Sequence, residues 1–125
     1  MGKAGTLTED QIQQNIVSCL SALSRRHDFI FFAVLNEAAM KGRSGRARYA
    51  LVAWLKKMGM VPGTTDLVII HRGRSYLVEV KTARGQQSEN QKLFAEWARG
   101  AGARYVIVRS IEEMMDAMRA WNIIA

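Results

Sequence analysis

Apolar positions along this chain recur with two alternating periods, and the changes of period mark its elements. In "TEDQIQQNIVSCLSAL", Ile12, Ile16, Cys19, Leu20 and Leu23 return at helical spacing. Thr8 followed by Gln11 makes a capping box, so a helix is predicted over about 8–24. "FIFFAVL" is short, aromatic and β-branched, which predicts a strand over 29–35. "RARYALVAWLKKM" returns to helical spacing over 46–58, with Tyr49 or Ala50, Ala53, Trp54 and Met58 on one face. "GMVPGTT" breaks it with glycine and proline. "DLVII" (66–70) and "SYLVEVK" (75–81) are strands joined by a hairpin turn at "HRGR". A helix follows Ser88, with Gln91 as capping-box partner and an apolar face of Leu93, Phe94, Trp97 and Ala98. "RYVIVRS" is a fourth strand. Ser110 then opens a last helix with a stripe of Ile111, Met114, Met115, Met118 and Trp121, best explained by core packing.

The order is thus α, β, α, β, β, α, β, α. The hairpin is antiparallel, and the helix between the third and fourth strands implies a right-handed parallel crossover. The expected fold class is α/β, a mixed β-sheet flanked by helices. A length of 125 residues suits one domain over 1–125 with one core.

Composition narrows the function. Apolar residues make up 49% and there is one proline, a globular balance. No apolar run approaches the roughly 20 residues of a membrane span, so no membrane association is expected. Cys19 is the one cysteine, which rules out an internal disulfide and points to a buried thiol and a cytoplasmic setting. His27 and His71 fit no zinc-ligand spacing. The net charge of +7 favours a polyanionic partner, chiefly nucleic acid. The charge is uneven: no acid occurs from Ala38 to Thr65, where Lys41, Arg43, Arg46, Arg48, Lys56 and Lys57 all fall. Lys41 and Arg43 lie in the glycine-bearing loop "KGRSGR", and Arg84 lies in the loop after the third strand. These are candidate phosphate contacts; the plain alternative is a solvated basic surface.

Against this basic background, three ionisable residues end hydrophobic strands. Residues i and i+2 of a strand share a face, so Glu79 and Lys81 point the same way while Val78 and Val80 point into apolar packing. A turn about Arg72–Gly73 sets a register centred near 72.5 or 73.5, which brings Asp66 beside Glu79 and Lys81. Two adjacent carboxylates repel unless a cation lies between them. Mg²⁺ binds through one or two carboxylates, and the Val80 carbonyl offers a further oxygen. A bound metal acidifies water, and Lys81 could orient the nucleophile or stabilise charge on a phosphorane. The competing reading is a surface ion pair of Glu79 with Lys81 and a turn-capping Asp66.

"GTTD" followed at hairpin distance by "EVK" resembles the PD-(D/E)xK nuclease superfamily. The longer stretch "MGMVPGTTDLVII…YLVEVKTARGQQSENQKLFAEWARGAGARYVIVRS" is similar to the VRR-NUC family, most strongly from Met58 to Ser110. The resemblance implies a restriction-endonuclease-like αβββαβ core. It implies metal binding by Asp66 and Glu79 with Mg²⁺ or Mn²⁺, and Lys81 as the catalytic lysine. It also implies Gln91 as a helix glutamine completing the site, and Glu9 as an acidic contribution from the first helix. Thr65 stands where the superfamily name has proline, a turn preference of little expected consequence. Stand-alone members look like Holliday-junction resolvases, homodimers that cut branched DNA. The tail "WNIIA" serves either a dimer contact or the core. Two alternatives stay open: a catalytically idle nucleic-acid-binding protein, and a nuclease for RNA or other DNA substrates.

Overall fold

The computed structural model describes residues 6–34 and 44–125. Its elements are α1 (Glu9–Leu23), β1 (Phe29–Ala33), α2 (Gly45–Lys57), β2 (Leu67–His71), β3 (Arg74–Val80), α3 (Glu89–Gly100), β4 (Arg104–Val108) and α4 (Ile111–Ala120). The succession is the one the periodicity predicts. The loop carrying Asn36, Lys41 and Arg43 lies outside the described residues.

The sheet has the order β1-β2-β3-β4. β1 and β3 run antiparallel to β2, and β4 runs parallel to β3 across α3. Arg72 (φ 50) and Gly73 (φ 81) form the hairpin tip. Two consecutive positive φ values are the I′ geometry that matches strand twist. The tip pairs His71 with Arg74 and Leu67 with Val78, a register centred at 72.5. β2 therefore extends through His71, whose Nδ1 lies 2.7 Å from the Asp28 carbonyl, instead of ending at Ile70.

One sheet face packs against α1 and α4. Ile12, Ile16 and Leu20 meet Met114 and Met118 over Leu67, Ile69, Val78, Val80 and Val108. Ile123 joins this core and Trp121 lies 4.6 Å from Tyr76 between ring centroids, so the tail belongs to the core. Cys19 is only half-buried, its Sγ 3.9 Å from Met115 Sδ. The other face is covered by α3 through Ala95 and Ala98, with Phe94, over Leu77 and Tyr105.

Two helix faces depart from expectation. On α3 the small alanines lie inward, because a helix comes close to a sheet only over short side chains; Trp97 is 64% exposed and Leu93 is exposed too. On α2 only Leu55 is buried, while Tyr49 (79% exposed), Trp54 and Met58 face outward. That segment carries two apolar stripes at helical spacing, and packing selects the one containing Leu55.

The segment before β2 is fastened tightly. Gly63 has φ 77, and a Cβ there would come within 2.5–2.7 Å of the Asn90 and Gln91 backbone at the start of α3. Thr65 is buried, and its hydroxyl lies 2.6 Å from the Val78 carbonyl and 3.0 Å from that of Leu67. The threonine is thus a staple between β2 and β3, a larger role than a substitute for a turn proline. Gly63→Ala is expected to cost more than about 1 kcal/mol, since both the positive φ and the backbone contact oppose it. Thr65→Val is expected to cost about 1 kcal/mol through the lost hydroxyl. Urea unfolding of both variants checks these values.

Candidate active site

Asp66 sits between the Thr65 staple and β2, with its backbone held on both sides. Its N–H donates to the Val78 carbonyl at 3.0 Å, and its carbonyl accepts from Val34 N–H at 3.0 Å. Its Oδ2 accepts the Val80 N–H at 2.8 Å. The carboxylate is thereby tied to the end of β3, next to Glu79 and Lys81 in sequence.

Glu79 and Lys81 share the α3 face of the sheet, as strand parity requires. Glu79 is 0% exposed and Lys81 8%. Lys81 Nζ lies 3.3 Å from Glu79 Oε2. This excludes the surface ion pair weighed above: the pair is buried. The other oxygen, Oε1, accepts from the Tyr105 hydroxyl and from Gln87 Nε2, the latter at 3.0 Å. Burying a carboxylate costs several kcal/mol unless charge and hydrogen bonds compensate, and here both are supplied. Among the described residues Oε2 receives no hydrogen bond; the Lys81 ammonium is in ion-pair contact but not in hydrogen-bond geometry.

Sequence reasoning missed Tyr105 and Gln87. Tyr105 lies on β4 beside Leu77, and its ring is placed against Phe94 of α3. The available signal was a tyrosine within an otherwise aliphatic strand, since a buried tyrosine hydroxyl needs a partner. Gln87 lies in an irregular loop, where no periodicity indicates direction. That loop is pinned by Arg109, whose Nη1 donates to the Thr82 carbonyl at 2.6 Å and to that of Gly85 at 2.7 Å.

The remaining expected residues are placed as follows. Gln91 opens α3, and its Oε1 accepts from Ser88 N–H at 2.8 Å, so its carbonyl is used in capping. Glu9 is half-buried in the first turn of α1. Among the described residues no three His, Cys, Asp or Glu side chains form a metal-ligating group, so Glu9 does not close a three-carboxylate set with Asp66 and Glu79. Arg46, Arg48 and Arg84 are exposed, the first two on α2. Among the described residues no helix is long and apolar enough to cross a membrane.

A divalent cation fits the donor set in one respect: Glu79 Oε2 is a buried carboxylate oxygen that, among the described residues, has no hydrogen-bond donor. Burial first, then the bond to Glu79 and its charge, raise the Tyr105 hydroxyl well above its ordinary pKa of 10.0, against a lowering by Gln87. Tyr105 therefore remains a donor throughout the neutral range.

Tyr105→Phe is expected to cost about 1–3 kcal/mol, because it removes a donor from a buried carboxylate. The raised pKa adds a pH signature. The unfolded chain releases this proton near pH 10.0 and the folded chain only above that, so the associated stability is intact below pH 10.0 and is lost as pH rises further. Chemical denaturation at stepwise alkaline pH should show a flatter decline for Tyr105→Phe than for the parent.

No protein-family model matches the chain, and no curated protein matches it significantly in sequence. Among solved structures, one described as a VRR_NUC domain protein aligns with a TM-score of 0.65 at 19% identity, over 92% of this chain and 88% of its own. Another, described as a VRR_NUC domain, aligns with a TM-score of 0.56 at 22% identity, over 91% of this chain and 97% of its own. The mixed four-stranded sheet, the helices on both its faces and the alignment over most of each chain together establish that this protein has the VRR-NUC fold.

Proposed function

We propose that the protein is a metal-dependent, structure-selective DNA endonuclease that hydrolyses phosphodiester bonds in branched DNA, in the manner of a Holliday-junction resolvase. The observation that carries this reading is the buried Glu79–Lys81 pair, with Glu79 Oε2 left without a hydrogen bond. A buried carboxylate hydrogen-bonded on one oxygen, with only an ammonium in ion-pair contact with the other, is suited to a cation. The fold supports the same reading, as does a net charge of +7.

Asp66, Glu79 and the Val80 carbonyl are the groups proposed to hold Mg²⁺ or Mn²⁺; Glu9 is left out of this set, because it does not close a three-carboxylate group with Asp66 and Glu79. Bound there, the cation would supply Lewis acidity at the phosphate. The chain itself does the rest. Tyr105 and Gln87 restrain Glu79 Oε1. Lys81 brings a positive charge to the same place, where it can orient an attacking water or stabilise charge gathering on the phosphate. Gln91 would act from the start of α3 through its amide NH₂ while its carbonyl caps the helix. Arg46, Arg48 and Arg84, with Lys41 and Arg43 of the loop outside the described residues, would take backbone phosphates.

A resolvase needs two sites to cut two strands symmetrically, so a homodimer belongs to the proposal. Support comes from the edge strand β1, whose Ile30 and Phe32 are exposed large hydrophobics.

Labelled four-way junction, fork, flap, linear duplex, single-stranded DNA and RNA substrates, each with Mg²⁺ or Mn²⁺, test the reading. Junction cutting that EDTA abolishes is expected. Asp66→Ala, Glu79→Gln and Lys81→Ala are each expected to lower the rate at least about 100-fold while remaining folded by circular dichroism. Undiminished cutting by all three would overturn the site. Binding without scission on every substrate would favour the catalytically idle protein, and preferred cutting of RNA would move the substrate class. Sedimentation equilibrium should give twice 14.0 kDa; a monomer at micromolar concentration removes the dimer.

A further inference from the structure

The end of the sheet away from Glu79 holds a second cluster of charge. Arg74 opens β3, Arg104 opens β4 beside Tyr76, and Arg99 lies in the last turn of α3. The three line one cleft of about 640 Å³ together with Ser75, Tyr105 and Trp121.

None of the three arginines forms an ion pair among the described residues. The Arg99 guanidinium lies over the face of the Tyr105 ring, 5.3 Å from its centroid. The neighbouring acid at this end, Asp28, is 3.7 Å from Arg72 at the hairpin tip. Three arginines lining one opening raise the positive potential there, and their planar forks match phosphate oxygens.

We propose that this cleft binds a backbone phosphate of a nucleic-acid strand, at a second contact remote from the scissile bond. The identity of the ligand as a strand rests on the nuclease reading above; the anion-binding chemistry does not. Arg74 and Glu79 are five strand positions apart, or about 17 Å at roughly 3.3 Å per residue. With a rise of about 3.4 Å per base pair, this corresponds to about five base pairs. Trp121 adds an aromatic surface at the wall of the cleft, and Ser75 a hydroxyl.

The test is fluorescence anisotropy with a labelled 30-base-pair duplex in EDTA, so that cutting does not enter. The parent is compared with Arg74→Ala/Arg104→Ala and Arg74→Lys/Arg104→Lys across a salt series. Arg99 is left intact because its guanidinium lies on the Tyr105 ring. The alanine pair is expected to bind roughly tenfold more weakly, with a salt slope shallower by about 2, and the lysine pair to keep most of the slope. Circular dichroism confirms that both variants fold. Unlabelled AMP and inorganic phosphate serve as competitors, and only weak, millimolar competition is expected. An unchanged slope in a folded alanine pair overturns the cleft while leaving the nuclease reading intact. Micromolar displacement by AMP or phosphate also overturns the strand contact, in favour of a free-nucleotide site. Failure of the parent to bind duplex at all overturns the cleft and leaves the nuclease reading, whose substrate is branched DNA, to the junction-cutting assay.

Discussion

The buried carboxylate of Glu79 is the constraint around which the polar half of this protein is organised. A charge with no exposed surface, in the middle of a sheet, would destabilise the fold by several kcal/mol if left alone. Three side chains from three different segments offset that cost: Lys81 from just past the end of β3, Tyr105 from β4 and Gln87 from the following loop. The compensation is asymmetric. One oxygen has two donors, and the other has only an ammonium in ion-pair contact. The arrangement holds the carboxylate in place without satisfying it completely.

The remainder of the fold serves this placement. Lys81 and Glu79 stay on the α3 face because Val78 and Val80 are fixed in the core with α1 and α4. Asp66 stays at the end of β3 because its backbone and its carboxylate are both tied to neighbouring strands. The tie depends in turn on Thr65 and Gly63, which fasten the incoming chain to Val78 and to the start of α3. Arg109 fastens the outgoing loop, and with it Gln87. The short stretch "GTTD" is therefore a mechanical unit: a close approach, a staple and a carboxylate in succession.

Tyr105 links the two ends of the molecule. Its hydroxyl reaches Glu79 and its ring lies under Arg99, so one side chain borders both the acidic site and the arginine cleft. Such a residue resists chemical change as well as displacement, since burial and the neighbouring carboxylate keep its proton in place.

What could be read from the chain alone was whatever depends on local periodicity. The order of eight elements, the hairpin register about Arg72–Gly73, the capping residues Thr8, Ser88 and Ser110, and the shared face of Glu79 and Lys81 all follow from repeats of 2 or 3.6 residues and from turn chemistry. Tertiary structure alone decided what depends on distance across the fold. It buried the Glu79–Lys81 pair, where the strand pattern by itself favoured a surface ion pair. It turned Ala95 inward and left Trp97 outside, because close approach of a helix to a sheet favours short side chains, and on α2 it buried Leu55 and left Trp54 exposed. It also recruited Tyr105, 26 residues from Glu79, and Gln87 from an irregular loop. A side-chain hydrogen bond between separate elements leaves no periodic trace in a sequence; it exists only once the chain has closed around it.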